Sequence, residues 1–293
     1  MQSHKAAEGS GPSSMSKTMH FVMFGYDRFD APTNMAIDEI LKRRSEETGS
    51  IFIRFYSFTK PSIILSLSDS IKCIKSEGLA ETENVDVTRR QSGGKPIYVD
   101  ENVLAYSITG PESIDSTRDF VSLESIHKYF GSRVAKAISH YSNSSSVEIG
   151  DVYSIKAEGK PLAGHAQYLT PGKSFFYHGV IAMRAWDSEK INKLLRMRPG
   201  DYEELKVLPS LESISSLKPG SYNLENSKSS LVREILAQVS GNDYEEITKE
   251  EKQYILDLAV SLVSKKYRNR DWIEKSNGGT LREDSAFCLL YTG

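Results

Sequence analysis

Cysteine is scarce in this sequence: two in 293 residues, Cys73 and Cys288. Lying far apart, they offer neither a disulfide framework nor a thiolate zinc site, and a reducing cytoplasm is the expected setting. An excess of charge of one sign is also missing. The 37 basic and 39 acidic residues leave a net charge of −2, with no global pull toward nucleic acid or an anionic membrane. No run of about 18 apolar residues occurs, so no membrane-spanning helix is expected. The first 18 or so residues, with Gly9-Ser10-Gly11-Pro12-Ser13-Ser14, lack apolar periodicity and the apolar middle of a secretory signal. Residues 1–18 are therefore expected to be disordered, with Met15 and Met19 as alternative starts. What remains is 39% apolar and 26% charged, the composition of an ordinary globular chain. Its length suits one large domain.

The apolar pattern alternates strands with helices. His20 to Phe24 reads as a first strand. Pro32 to Leu41 opens a helix that Gly49 ends. Ile51 to Tyr56 and Ser62 to Leu67 are strand-length apolar runs, the kind covered on both faces. Phe120 to Tyr141 reads as one long helix. Val147 to Ile155, Pro161 to Leu169 and Ser174 to Met183 read as strands, and Asp187 to Leu195 as a helix. Met197 to Lys218 looks irregular, and a helix through Leu231, Ile235 and Val239 stops at Gly241. Thr248 and Glu251 make a capping box for the last helix, which is expected to bury Ile255, Leu258 and Leu262. There is no internal repeat.

Chemistry gathers in two stretches. In the first, Arg89-Arg90-Gln91-Ser92-Gly93-Gly94-Lys95-Pro96-Ile97 lies between Val85-Asp86-Val87 and the apolar run Val103 to Ile108. Glycine amides and an arginine fork between two strands can cradle an anion. A hairpin turn with solvated arginines has the same signature. In the second, Gly159 to Gln167 runs into Phe175 to Met183, with His165 and His178 on strand-like segments. A lone histidine near a strand is more often a hydrogen-bonded structural residue than a base.

Together these stretches resemble the lipoate–protein ligase family, within the biotin/lipoate ligase and octanoyltransferase superfamily, from about residue 20 to about residue 275. Arg90, Ser92, Gly93, Gly94 and Asp100 match the first motif. Leu162, Ala163, Gly164, His165 and Ala166 match the tail of the second, His178 and Gly179 match its His-Gly, and Asp151 matches the acid of an Asn-Asp pair. Asn34-Met35-Ala36 resembles the family's first helix. Lys95, Pro96 and Val99 replace a glycine, a small residue and a histidine, and Gly150 replaces the asparagine. Pro161 stands where the family has its lysine.

The resemblance implies an α/β (α+β) fold with a mixed, largely antiparallel sheet flanked by helices. It implies a catalytic domain over residues 19–275 and a short extension over 276–293, with room for one strand (Ala286 to Tyr291) but no full accessory domain. The implied reaction is ATP-dependent attachment of lipoate, or a related medium-chain acyl group, to a lysine of an acceptor domain through an acyl-adenylate. The acceptor would be a 2-oxoacid dehydrogenase E2 or a glycine-cleavage H-type lipoyl domain, with a separate accessory-domain subunit as a further partner. ATP, Mg²⁺ and lipoate would be bound by Arg90, Ser92, Gly93, Gly94, Ile97, Asp151, Gly164, His165, Ala166, His178 and Gly179, with Asp151 at the metal. Lys95, with Lys160 as the fallback, would supply the cation absent at Pro161. Lys160 can do so only if the strand bulges there, since neighbours on a strand face opposite ways. The altered positions also fit a protein that binds lipoate, a lipoylated domain or a partner subunit without adenylation. A Gly-Arg-Gly-Arg loop like that of biotin ligases is absent. Neither cysteine falls where octanoyltransferases hold their acyl group, so a thioester route is disfavoured.

Overall fold

The computed structural model describes residues 19–75, 77–115, 118–120, 122–150, 154–195, 212–218 and 222–275. The chain opens with β1 (Phe21–Phe29) and enters α1 (Ala31–Thr48). Asp30 caps α1 by accepting the Thr33 N–H at 2.9 Å, and Gly49 ends it in the left-handed region at φ 74°. Then come β2 (Ile51–Phe58), β3 (Ser62–Leu65), α2 (Glu77–Thr82), β4 (Asp86–Arg89), β5 (Ile97–Val99) and β6 (Val103–Pro111). A small hairpin, β7 (Ser113–Asp115) with β8 (Arg118–Asp119), leads to α3 (Leu123–Ile126). The long helix expected over Phe120 to Tyr141 is interrupted. After α3 a π turn covers His127–Gly131, and α4 (Ser132–Ser142) follows. At Gly131 an added Cβ would fall 2.9 Å from the His127 ring and 3.1 Å from the Tyr177 hydroxyl, so the π turn sits where a side chain has no room.

The single strand expected over Val147 to Ile155 is two, β9 (Val147–Ile149) and β10 (Ser154–Ala157). They are followed by β11 (Lys160–Thr170), β12 (Ser174–Ala182), α5 (Ser188–Leu194), α6 (Ile214–Leu217), α7 (Leu224–Ser240), β13 (Glu245–Glu246), α8 (Lys249–Leu262) and α9 (Arg270–Glu274). Most of the segment read as irregular before α6, and the strand read at Ala286 to Tyr291, lie outside the described residues.

The large sheet runs β13–β1–β2–β6–β12–β11–β10–β9. Only β13–β1 and β1–β2 pair parallel; the remaining pairs are antiparallel. This is the mixed, largely antiparallel sheet flanked by helices that the sequence implied. On its back, α4 and α7 cover one core with Leu104, Tyr106, Tyr177 and Ile181. On its front, α1, α8 and a second sheet ordered β4–β3–β5 enclose the other. The front core is incomplete between the two sheets. The cleft is there.

α8 departs from its sequence reading. Ile255 is fully buried and Leu262 partly so, but Leu258 is 37% exposed. Among the described residues no helix is long and apolar enough to cross a membrane.

Candidate functional site

Strand alternation builds the floor of the cleft. On β11 Gly164, Ala166 and Tyr168 face it, and on β12 their cross-strand partners Val180, His178 and Phe176 do. Glycine and alanine leave space above the sheet at one end. There a hollow of about 350 Å³ is walled by Met35, Phe58, Ile64 and Ile97 and closed by Tyr56. At the tyrosine end it opens into a second hollow of about 300 Å³, lined by Asp38, Glu39, Lys42, Gln91 and Tyr267. Met35, Arg90 and His178 belong to both, so the two form one cleft, apolar inside and polar at the mouth.

The arginine pair does not project as a free fork. Arg89 donates to the carbonyls of Ser66 and Asp69 from one face and of Trp272 and Ile273 from the other, tying the 66–69 loop to α9. Asp69 closes that loop by accepting the Ser66 N–H at 2.8 Å. Arg90 is buried and donates to Ser92 Oγ (3.1 Å) and to the carbonyls of Ile64 (3.2 Å), Gly93 (2.6 Å) and Lys95 (2.9 Å). The Gly-Gly stretch is thus wrapped around a guanidinium, with Gly94 at φ 105° where only glycine fits comfortably. Burial pulls the Arg90 pKa down to about 10, so at neutral pH its charge persists under the cleft.

His178 sits at the junction of the two hollows, its Nε2 2.7 Å from Ser92 Oγ. Burial first, then the Arg90 charge, holds its pKa well below the ordinary histidine value, so the ring is neutral. Ser92 Oγ accepts from Arg90 Nε and shares a hydrogen bond with His178 Nε2, linking the buried guanidinium to the imidazole. Gly179 is dictated from behind: a Cβ there would fall 2.5 Å from the His165 ring and 2.9 Å from the Gly164 carbonyl oxygen.

Several expected site residues stand elsewhere. His165 points to the back of the sheet, stacked on Tyr177 at 5.0 Å and 5.3 Å from the His127 ring, because it alternates with Gly164 and Ala166. The bulge that Lys160 needed is present. Ile155 pairs with Ala163 and Lys156 with Pro161, so Leu162 is the extra residue, and Leu162 and Ala163 both pack into the back core. That shift puts Pro161 on the same sheet face as Gly164, outside the lining of either hollow, and turns Lys160 to the other face. The Lys160 side chain is 46% exposed and its ammonium lies 3.6 Å from the Glu212 carboxylate. Lys95 contributes its carbonyl to Arg90 and is not among the residues lining either hollow. Ile97, Gly164, Ala166, His178 and Gly179 line the cleft; Gly93 and Gly94 line neither hollow, and the Gly93 carbonyl is held by Arg90, which lines both. Asp151 lies outside the described residues. Among those described, no three His, Cys, Asp or Glu side chains gather into a metal site.

Two features were not expected from sequence. Beneath the cleft, Arg54 is fully buried and donates to Asp38 Oδ1 at 3.0 Å. Asp38 also accepts from Ser107 (2.8 Å) and Tyr56 (3.0 Å), and burial, outweighing Arg54, raises its pKa. At the mouth, Glu39 accepts from Lys266 (2.8 Å) and Tyr267 (2.7 Å), and Gln91 donates to the Tyr267 hydroxyl (2.9 Å). The signals were in view. Arg54 interrupts an apolar strand, and Asn34 and Asp38 lie four apart on the face of α1 that also buries Ile37 and Leu41.

A profile of the lipoyl protein ligase A/B catalytic domain matches residues 30–235, more than half the chain. The chain belongs to this family. Its relatives within the family differ in chemistry. It is 25% identical over 248 residues to the lipoate–protein ligase LplJ of Bacillus subtilis, covering 83% of this chain and 70% of that one. It is 26% identical over 262 residues to the octanoyltransferase LipM of Carboxydothermus hydrogenoformans, covering 84% and 95%. The bipartite lipoate protein ligase of Thermoplasma acidophilum, described together with its E2 lipoyl domain, superposes with a TM-score of 0.71 at 15% identity, over 90% of this chain and 99% of that one. That likeness is one of fold.

Two results are expected from the site as it stands. The first concerns pH. His127 is buried behind the sheet with a pKa pushed down to about 4 by desolvation, and His178 is shifted the same way. The unfolded chain takes up these protons near pH 6.5, before the folded chain does. Stability is therefore full above pH 6.5 and falls as pH drops toward 4, by about 3 kcal/mol for His127 alone. Urea midpoints at pH 7 and 5 should show the loss, and His127→Phe should shrink it. The second concerns cysteine. Cys73 is half-buried at the edge of the front core and lines neither hollow. A Cys73→Ser/Cys288→Ser variant should remain folded and keep whatever acyl-transfer activity the parent shows, within about twofold; loss of that activity with folding intact would restore a thioester route.

Proposed function

We propose that this protein attaches lipoate, or a related medium-chain acyl group, to a lysine of a lipoyl domain, using ATP and an acyl-adenylate. The observation that carries this reading is the hollow above Gly164 and Ala166. It is apolar where an acyl chain would lie and ends beside a buried positive charge, Arg90, and a neutral imidazole, His178. A carboxylate at that junction meets a favourable field, and in this reading the Gly93-Gly94 turn held by Arg90 would supply backbone amides to a phosphate. Mg²⁺ would arrive with the ATP phosphates and take Asp151, the match to the acid of the family's Asn-Asp pair, as a protein ligand. Lys95, whose carbonyl is held by Arg90, supplies the cation in this reading, since Lys160 lies against Glu212.

A second reading is favoured by one observation. Pro161, with neither charge nor N–H, takes the sheet face of Gly164 in the bulged strand, and no cation stands at that position. A chain that binds the acyl acid without adenylating it would look the same there. Pyrophosphate release separates the two. Adenylation requires release that depends on both ATP and lipoate, is weaker with biotin, and falls about 10²–10³-fold in Lys95→Ala. Lipoate binding by calorimetry with no pyrophosphate released would establish the second reading instead.

A further inference from the structure

The basic stretch faces two ways. Arg90 turns toward the cleft and lines both hollows. Thr88, Arg89 and Gln91, on either side of it, hold a segment near the end of the described chain. Thr88 Oγ1 donates to the Tyr267 carbonyl at 2.9 Å, and Gln91 Nε2 donates to the Tyr267 hydroxyl at 2.9 Å. Arg89 and Trp272 hold each other. The guanidinium donates to the Trp272 carbonyl at 3.0 Å and to that of Ile273 at 2.7 Å, and the Trp272 indole N–H donates to the Arg89 carbonyl at 3.0 Å.

The segment held is a π turn (Val263–Tyr267) followed by α9. α9 has five residues, none of them buried, and a helix this short does not persist by itself. Trp272 and Ile273 are only partly buried where they meet the front core. The place of α9 therefore depends on its bonds to the basic stretch. Segments with so little burial open locally before the rest of a fold does.

Those bonds bear on the cleft. Tyr267 lines the mouth with Glu39 and Gln91, and its hydroxyl donates to Glu39 at 2.7 Å while accepting from Gln91. Arg90 lies between the residues so held, and its own guanidinium holds the Gly93 and Lys95 carbonyls. With α9 docked, the backbone on both sides of Arg90 is fixed. With α9 released, Arg89 loses its partners at 272 and 273, and Arg90 loses that support. A ligand that binds Arg90 in its fixed position favours the docked segment, and by linkage the docked segment favours the ligand to the same degree.

We infer that residues 263–274 are a clasp that positions Arg90 for the acyl acid, with Trp272 as the positioning residue that locks it. Trp272 lines neither hollow, so its effect on the acid passes through Arg89 and Arg90. The family match ends at residue 235, short of the clasp. The inference rests on the reading of the cleft as an acyl-acid site and adds the element that sets it.

The test uses the full chain with lipoate as the probe. In the parent, saturating lipoate should slow amide hydrogen exchange across residues 268–274 at least about fivefold, with α5, which makes none of these bonds, as the reference. A helix with a purely structural role gives no such response. Trp272→Phe keeps an aromatic ring and removes the N–H bonded to Arg89. By calorimetry, at a temperature where circular dichroism shows the parent fold, it should bind lipoate about fivefold more weakly, the worth of one hydrogen bond. Exchange that lipoate leaves unaltered in the parent overturns the clasp, and so does a folded Trp272→Phe that binds lipoate like the parent. If that variant does not fold, the exchange measurement on the parent decides alone. A parent that binds neither lipoate nor octanoate overturns the clasp and the acyl-acid cleft together. A parent that shows both effects but releases no pyrophosphate leaves the clasp standing and overturns only the ligase reading.

Discussion

Asp38→Ala is expected to lower the unfolding free energy by about 3–5 kcal/mol. Asp38 is almost fully buried and takes hydrogen bonds from Arg54, Tyr56 and Ser107. Removing it strands the Arg54 guanidinium, itself fully buried between the sheet and α1, with its charge unmet. The remaining partners, the backbone and side-chain oxygens of Asn34 and the Tyr56 ring 4.2 Å from the guanidinium, carry no net charge and do not cancel one. Paired removal is different. Asp38→Ala/Arg54→Met should recover most of the loss, because a well-packed apolar pair does not have to desolvate two ions. Chemical denaturation of the three variants decides it. A single variant within about 1 kcal/mol of the parent would show that water or a rearranged partner reaches Arg54.

Ala166→Phe is expected to abolish acyl-acid binding, with affinity falling at least about a hundredfold while the fold persists. The residue faces the cleft opposite His178, and a phenyl ring there would fill the hollow that takes the acyl chain in the proposed function. The hollow itself gives the ring room, which keeps the overpacking penalty toward the lower end of about 1–3 kcal/mol. Calorimetric titration with lipoate and with octanoate measures the effect. Affinity within threefold of the parent would mean that the acyl chain lies elsewhere.

The fold was readable because local signals agreed with the tertiary result. Asp30, Pro32 and Gly49 bound α1, and continuous apolarity marked β2 as buried on both faces. The cleft floor was readable too, since Gly164 and Ala166 alternate along one strand. His165 was misplaced because a motif names consecutive residues, whereas a strand sends neighbours to opposite faces. The arginines were misjudged for another reason. The carbonyls that hold Arg89 come from residues 66–69 and from Trp272 and Ile273, almost two hundred positions away, and no local pattern announces them. Leu258 followed the apolar period of α8, but that period cannot tell a core position from one at its exposed edge.

Intact-mass measurement of an acceptor tests the central claim most directly. An isolated E2 lipoyl domain incubated with this protein, lipoate, ATP and Mg²⁺ should gain one lipoyl group on its acceptor lysine. The gain should vanish when ATP is omitted and when Ala166→Phe replaces the parent. An acceptor that stays unmodified, in a preparation that binds both lipoate and the lipoyl domain, would contradict the ligase account.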